Sequence, residues 1–317
     1  MIKAPRVVSG GLLHQMYRVE TTTGTYAIKA LNPQIMQRPD AMCNYIQSEQ
    51  IAKAAAQQIP ALPAKEWHGR FMHEIGGQYY LVFDYWADGQ SLKAPHIKLS
   101  HCHRMGAILA DIHQMDFSGL ECSTPEPTKA ELSDWTAYVQ KGWEQQAVWS
   151  TLMEEASGQL YEWNAKASRA AQLLATGMVL SHRDLDPKNV LWNDDQPLVI
   201  DWEAAGYIHP KQELIETAVY WSEDESGDLN EQKFKAFMAG YVENGGNVQP
   251  DWEPALALGF MGKLDWLEYS LKRSLWLECS SEEEQQLGTE QVAATLHSLR
   301  RYNDNTSVLA QWLMAVG

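Results

Sequence analysis

Leu180-Ser-His-Arg-Asp-Leu-Asp-Pro-Lys-Asn-Val-Leu-Trp192, followed after the turn Asn193-Asp-Asp-Gln-Pro197 by Leu198-Val-Ile-Asp-Trp202, is the stretch that decides the reading of the whole chain. Asp184 follows His182 by two positions, Asn189 follows Asp184 by five, and Asp201 ends a short apolar run seventeen positions after Asp184. Short strands over 178–181, 190–192 and 198–200, the last two joined by an Asp/Asn-rich hairpin turn, form a ribbon that aims these polar groups at one point. Phosphoryl transfer asks for such a set. One carboxylate must orient an acceptor hydroxyl and receive its proton. An Asn oxygen and a second carboxylate must hold Mg²⁺, which takes hard oxygen ligands, against the phosphates. His-x-Asp alone is a common triplet, and an Asp/Asn-rich turn before a strand could produce it. The combined spacing is what points to the chemistry.

Working outward, the first 80 or so residues read as strands. Tyr17-Arg-Val-Glu-Thr and Thr25-Tyr-Ala-Ile-Lys-Ala-Leu are β-rich runs joined by Thr21-Thr-Thr-Gly24, a hairpin signal. Before them, Val7-Val-Ser-Gly-Gly-Leu-Leu-His14 reads as a strand with a glycine-containing turn. A helix is expected over about 40–58, closed by Ile59-Pro60, and an apolar strand over 78–83. The segment Asp84-Tyr-Trp-Ala-Asp-Gly-Gln90 breaks the strand pattern and divides the chain. Beyond it helical periodicity dominates: 99–115, 133–149, 151–175 and most of the chain from 212 onward. The tryptophans there, among them Trp135, Trp143, Trp149, Trp163, Trp221, Trp252, Trp266 and Trp276, are read mostly as helical core, with a few free to line a cleft.

The loop His182-Arg-Asp-Leu-Asp-Pro-Lys-Asn189 and the later Asp201-Trp202 resemble the aminoglycoside phosphotransferase and choline-kinase-like enzymes, small-molecule relatives of the protein kinases. The landmarks span about residues 1–220. The resemblance implies an α+β, protein-kinase-like fold in two lobes. Residues 1–83 would form a small antiparallel sheet with one helix, 84–90 a hinge, and 91–317 a larger, mainly helical lobe. It further implies Asp184 as the catalytic base, Asn189 and Asp201 as ligands to Mg²⁺, and ATP or GTP as phosphate donor. Tyr26-Ala-Ile-Lys29 looks like the kinase strand that sets Lys29 on the α- and β-phosphates and Ala27 against the adenine. Glu49, the one acidic residue in the helix expected after Asp40, would be the partner of Lys29. Ser9, Gly10 and Gly11 stand where backbone N–H groups would cover the phosphates, without a third glycine; a plain hairpin turn fits the same letters. Phe83 would back the adenine pocket, with backbone groups of Asp84 and Trp86 on the base edge.

The 317 residues carry 41 acidic against 25 basic side chains, a formal net charge of −16. That leaves no cationic excess for nucleic acid or an anionic membrane surface. It suits a cationic small acceptor, or simply a solvated acidic surface. A hydrophobic content of 45% excludes a disordered chain. The opening residues lack a signal-peptide core, no run of about 18 apolar residues is present, and the four cysteines form no CxxC pair, so a reduced, cytoplasmic setting is expected. His101-Cys-His103 lies at i, i+2 on a helix start, where the side chains diverge and hold no metal. For the acceptor, an aminoglycoside-type antibiotic inactivated as a resistance mechanism leads. Asp186, Glu203, Asp265 and Glu268 are named as partners for its ammonium groups, the first two ahead because they flank the ribbon. Glu213 is a candidate of either kind, acceptor partner or brace of the loop backbone, and Glu216 is a further unranked one. Choline, ethanolamine, a macrolide, homoserine or a sugar metabolite are the alternatives. A non-catalytic binding protein is disfavoured because Lys29, Asp184, Asn189 and Asp201 are all in place. Arg183, where antibiotic kinases commonly have Gly, and Asp186, where Lys or His is common, depart from the pattern.

Overall fold

The computed structural model describes residues 4–8, 13–120 and 132–315. The first part is an antiparallel sheet of five strands: β1 (Arg6–Val8), β2 (Gln15–Glu20), β3 (Thr25–Ala30), β4 (Met72–Ile75) and β5 (Gln78–Asp84), in the order β1-β2-β3-β5-β4. The Thr21–Gly24 turn closes as expected, with the Thr21 N–H donating to the Gly24 carbonyl at 2.8 Å. Between β3 and β4 lie a single turn, α1 (Pro33–Met36), and the helix α2 (Ala41–Ala55). On α2, Ile51, Ala52 and Ala55 are fully buried. The strand β4 was not foreseen, because Glu74–Gly77 reads as a turn; Gly76 and Gly77 do turn there, at φ +61° and +81°, but Met72 to Ile75 pair with β5 first.

After β5 the chain crosses over and pairs elsewhere. β6 (Gln90–Ser91) joins β8 (Val190–Asn193) and β9 (Gln196–Val199), while β7 (Val179–Ser181) pairs with β10 (Gly206–Ile208). Around these ribbons pack α3 (Leu99–Gln114), α4 (Trp135–Glu144), α5 (Ser150–Leu173), α6 (Pro210–Ser222), α7 (Glu231–Glu243), α8 (Glu253–Leu258), α9 (Met261–Ser274) and α10 (Glu282–Met314). The fold is therefore α+β: an antiparallel sheet lobe followed by a mostly helical part. Backbone hydrogen bonds tie the two parts together, from Leu62 N–H to Val199 O at 2.9 Å and from Val199 N–H to Pro60 O at 2.8 Å.

Tryptophans fill the helical core. Trp135, Trp149, Trp163, Trp192, Trp202 and Trp221 are buried, while Trp143 and Trp276 are exposed and belong to no core. α3 and α7 cross at a distance that permits no side chain at the contact. A Cβ on Gly106 would stand 2.0 Å from the Phe237 carbonyl oxygen, and one on Gly240 would stand 1.9 Å from the His103 carbonyl oxygen. Gly240→Ala should therefore push the helices apart and destabilise the protein by about 1–3 kcal/mol, the usual cost of overpacking. Thermal or urea unfolding checks this, and an alanine variant as stable as the parent would refute the close crossing.

Candidate active site

Lys29 sits on β3, paired with Met16 of β2 and Leu81 of β5, and is 6% exposed. Its ammonium lies 2.7 Å from Asp201 Oδ1 and also donates to Glu203. Burial alone would push Lys29 toward neutrality, but the two carboxylates outweigh it and hold the ammonium charged. Asp201 takes a left-handed backbone, φ +60°, before the turn Trp202–Ala204. That turn brings carboxylates two residues apart onto one cation. Glu203 is fixed further by His14, whose Nε2 is 3.2 Å from its carboxylate and 2.8 Å from the Tyr45 hydroxyl. His14 Nδ1 accepts the Asn32 N–H at 2.9 Å, so the other ring nitrogen carries the proton toward these oxygens.

Two expectations change here. Glu49 is not the hydrogen-bonded partner of Lys29: it is 2% exposed, accepts the Ala64 N–H at 2.6 Å, and is pushed up to about 7 by burial. Glu203 takes that place, because the left-handed turn at Asp201 delivers it. For the same reason Glu203 faces Lys29 and His14 and not an acceptor wall.

The loop between β7 and β8 carries Asp184. Asn189 Nδ2 donates to Asp184 Oδ2 at 2.8 Å and to the Asp184 carbonyl at 2.9 Å, which leaves the Asn189 amide oxygen as the atom available to a cation. Burial raises Asp184 above the usual carboxylate range, and the nearby Lys188 ammonium opposes it. The loop backbone is pinned from below. His182 is fully buried; its Nε2 meets the Ile200 carbonyl at 3.0 Å and its Nδ1 accepts the Asp184 N–H at 3.2 Å. Glu213 of α6 accepts the Arg183 N–H at 2.6 Å and meets His113 Nε2 at 2.8 Å, so of its two readings the brace is the one this geometry carries. Burial would raise Glu213, yet His113 outweighs it and holds the carboxyl low. Trp221 Nε1 donates to the Leu185 carbonyl at 2.8 Å.

The other named residues are found as follows. Ala27 pairs with Phe83 across β3 and β5, both half-buried. The Asp84 side chain is exposed and takes both oxygens to Lys65 at 2.8 Å, and the ring of Trp86 lies against Gly89. Asp186 caps its own loop, accepting the Lys188 N–H at 2.8 Å. Glu268 is engaged by the Ser133 hydroxyl at 2.6 Å and the Tyr138 hydroxyl at 2.9 Å, whereas Asp265, one turn earlier on α9, is exposed. Ser9, Gly10 and Gly11 lie outside the described residues.

Residues 5–253 match the phosphotransferase enzyme family. The chain belongs to that family. Solved structures share its fold. A spectinomycin phosphotransferase in complex with ADP and spectinomycin superposes with a TM-score of 0.67 at 11% identity, covering 95% of this chain and 94% of that one. A choline kinase from Cryptosporidium parvum gives 0.63 at 12%, covering 99% and 93%. A choline/ethanolamine kinase family protein from Mesorhizobium loti gives 0.58 at 15%, covering 99% and 92%. No curated protein matches the chain in sequence. The protein is thus a small-molecule phosphotransferase by family.

Within this phosphotransferase the helical lobe holds a group of charges that sequence reasoning did not assemble. Glu216 and Tyr220 stand one turn apart on α6, and Glu223 is the extended residue that caps its end, all half-buried. Lys263 of α9 places its ammonium 5.6 Å from the ring centres of both Tyr220 and Tyr302. The charges of Asp184 and Asp186 reach Tyr220, and that of Asp186 reaches Glu223, so this wall adjoins the loop. The helical spacing on α6 was the available signal. Which residues of α9 and α10 face it depends on tertiary packing.

Burial pushes Glu216 up to about 7, so between its ordinary value and about 7 the folded state binds a proton that the unfolded chain has released. The sign follows: this group's contribution falls as pH rises through that window. Glu216→Gln should therefore gain stability relative to the parent on going from pH 5 to pH 8. Urea unfolding of both proteins at the two pH values tests it, and a constant difference would refute the burial of that charge.

Proposed function

We propose that the protein transfers the γ-phosphate of ATP, or GTP in its place, to a hydroxyl of a small polycationic acceptor, an aminoglycoside-type compound before others. The observation that carries the reading is the convergence of three stretches of chain: Lys29 on β3 binds Asp201 after β9, Asn189 binds Asp184 within the β7–β8 loop, and the charge of Asp201 reaches Asp184. In this reading Asp184 receives the hydroxyl proton and Lys29 neutralises the α- and β-phosphates. Ala27 and Phe83 flank the adenine, and backbone groups of Asp84 and Trp86 meet the base edge. Ser9, Gly10 and Gly11 would lie over the phosphates.

The residues suit Mg²⁺. Among the described residues no group of three or more His, Cys, Asp and Glu side chains makes a complete metal cage. Mg²⁺ in nucleotide sites needs none, since one or two carboxylates and the phosphates serve. The acid pair Asp201 and Glu203 already draws in a cation, the Lys29 ammonium. Asp201 and Asn189 would hold the ion, which when bound offsets phosphate charge.

For the acceptor, Glu223, whose charge is felt beside the loop at Asp186, would meet an ammonium group, with Glu216 and the exposed Asp265 of α9 as further candidates. Tyr302 is buried and its ring, like that of the half-buried Tyr220, already faces Lys263, so this pair of rings does not offer a free face to a quaternary ammonium. That favours ammonium groups recognised by carboxylates over choline, the second reading. An ADP-release assay across aminoglycosides, macrolides, choline, ethanolamine and homoserine tests the choice, and turnover with choline alone would overturn it.

Asp184→Asn should lower kcat by about 10²–10⁴-fold with nucleotide affinity little changed, since positioned proton transfer contributes that much. Asp201→Asn should weaken Mg²⁺-nucleotide binding more than Asp184→Asn does, read by titration of both variants. The acceptor KM should rise with ionic strength, because attraction between half-exposed charges is screened over about 8 Å at physiological salt. Glu223→Gln should raise that KM and flatten its salt dependence; a flat response in the parent would exclude a polycation.

A further inference from the structure

We propose that Lys188 is the cation that faces the transferring phosphoryl group, and that Asp186 serves to hold it there and not to bind the acceptor. This rests on the phosphotransferase reading above and assigns a residue that reading leaves unused. Lys188 Nζ stands 3.5 Å from Asp184 Oδ1 and 3.6 Å from Asp186 Oδ2. Both distances exceed a good hydrogen bond, so the ammonium is held near the carboxylates without being consumed by them. Its side chain is 59% exposed, which leaves donors free for a third partner. The backbone fixes its direction: Asp186 Oδ1 accepts the Lys188 N–H at 2.8 Å at the head of the turn Pro187–Asn189, and the next residue, Asn189, grips Asp184.

The need for such a cation follows from charge. A loose phosphoryl-transfer transition state spreads negative charge over three oxygens of the moving group. That group must approach Asp184, itself a carboxylate beside a second one, Asp186. Lys29 stands on the sheet lobe, engaged by Asp201 and Glu203. Lys188 is the cation that the described residues place within 4 Å of Asp184. An ammonium there offsets the repulsion between base and phosphoryl group as the group moves. Asp186, whose two oxygens are both turned to Lys188, has the geometry of a tether.

The alternative is an exposed ion pair of little consequence. Lys188→Met and Lys188→Arg separate the two. ADP and the non-hydrolysable β,γ-imido analogue of ATP are titrated into each protein with Mg²⁺ and no acceptor, and acceptor-independent ATP hydrolysis is timed. The Met variant should bind the analogue about tenfold more weakly, keep its ADP affinity within twofold, and hydrolyse ATP about 10²-fold more slowly, the loss typical of one charge-stabilising donor. The Arg variant should recover most of both. Unchanged analogue affinity and hydrolysis in the Met variant would overturn the proposal and leave the phosphotransferase reading standing. Equal losses for ADP and the analogue would mark a structural role and overturn it too. A parent protein that bound neither nucleotide would overturn both readings together.

Discussion

The contact on which the site depends is the ion triplet of Lys29 with Asp201 and Glu203. Here a sheet side chain and the turn after the ribbon share a charge. Removing water from an ammonium costs several kcal/mol, and a single exposed carboxylate returns little of it. Two carboxylates, with His14 behind one of them, keep Lys29 charged at 6% exposure. The β3–β5 pairing, the left-handed Asp201 and the His14–Tyr45 contact therefore all serve one geometry. Because the partners come from both parts of the chain, the triplet also fixes how those parts meet at this point.

The loop on the other side is held by strain and bracing together. Arg183 adopts φ +67°, a conformation that costs a side-chain-bearing residue of order 1 kcal/mol and costs glycine little. Gly would take that backbone at little cost, and this chain braces a larger residue there instead. The buried Glu213 carboxylate takes the Arg183 N–H, with His113 and, behind it, the Tyr241 hydroxyl at 2.8 Å completing a polar chain. His182 ties the same loop to Ile200, next to Asp201. Arg183 and Asp201, both left-handed, are thus joined through the bond of His182 to Ile200.

The legible parts of the sequence were those whose chemistry is local. His182, Asp184, Asn189 and Asp201 lie within twenty residues of one another, and a ribbon with a two-residue turn, Asp194 at φ +50°, admits few registers. The hairpin of β2 and β3 and the helices α2, α3 and α5 carried period-2 or period-3.6 patterns long enough to read. The short strands β4 and β10 did not: three or four residues show no period, and their pairing is decided by partners elsewhere. Glu49 illustrates the same limit. Spacing put a carboxylate on a helix at the right distance from Lys29, yet the Ala64 N–H claimed it, and a positive φ two residues from Glu203 decided the competition. The carboxylate wall of α6 with Lys263 depended on three helices meeting, which no single segment reports.

The distribution of cations completes the argument. In a chain with a net charge of −16, lysines are scarce where charge matters most. Two of them, Lys29 and Lys188, stand each between two carboxylates, and a third, Lys263, is turned into the aromatic faces of Tyr220 and Tyr302. Burial lowers Lys263 below an ordinary lysine, with Glu223 and Glu216 as its counter-charges. Lys29 and Lys188 thus each set one positive charge against two carboxylates, so the balance at the loop and the turn is negative. In the proposed reaction that balance would favour an ammonium-bearing acceptor and would leave a nucleotide dependent on a divalent cation to offset its charge.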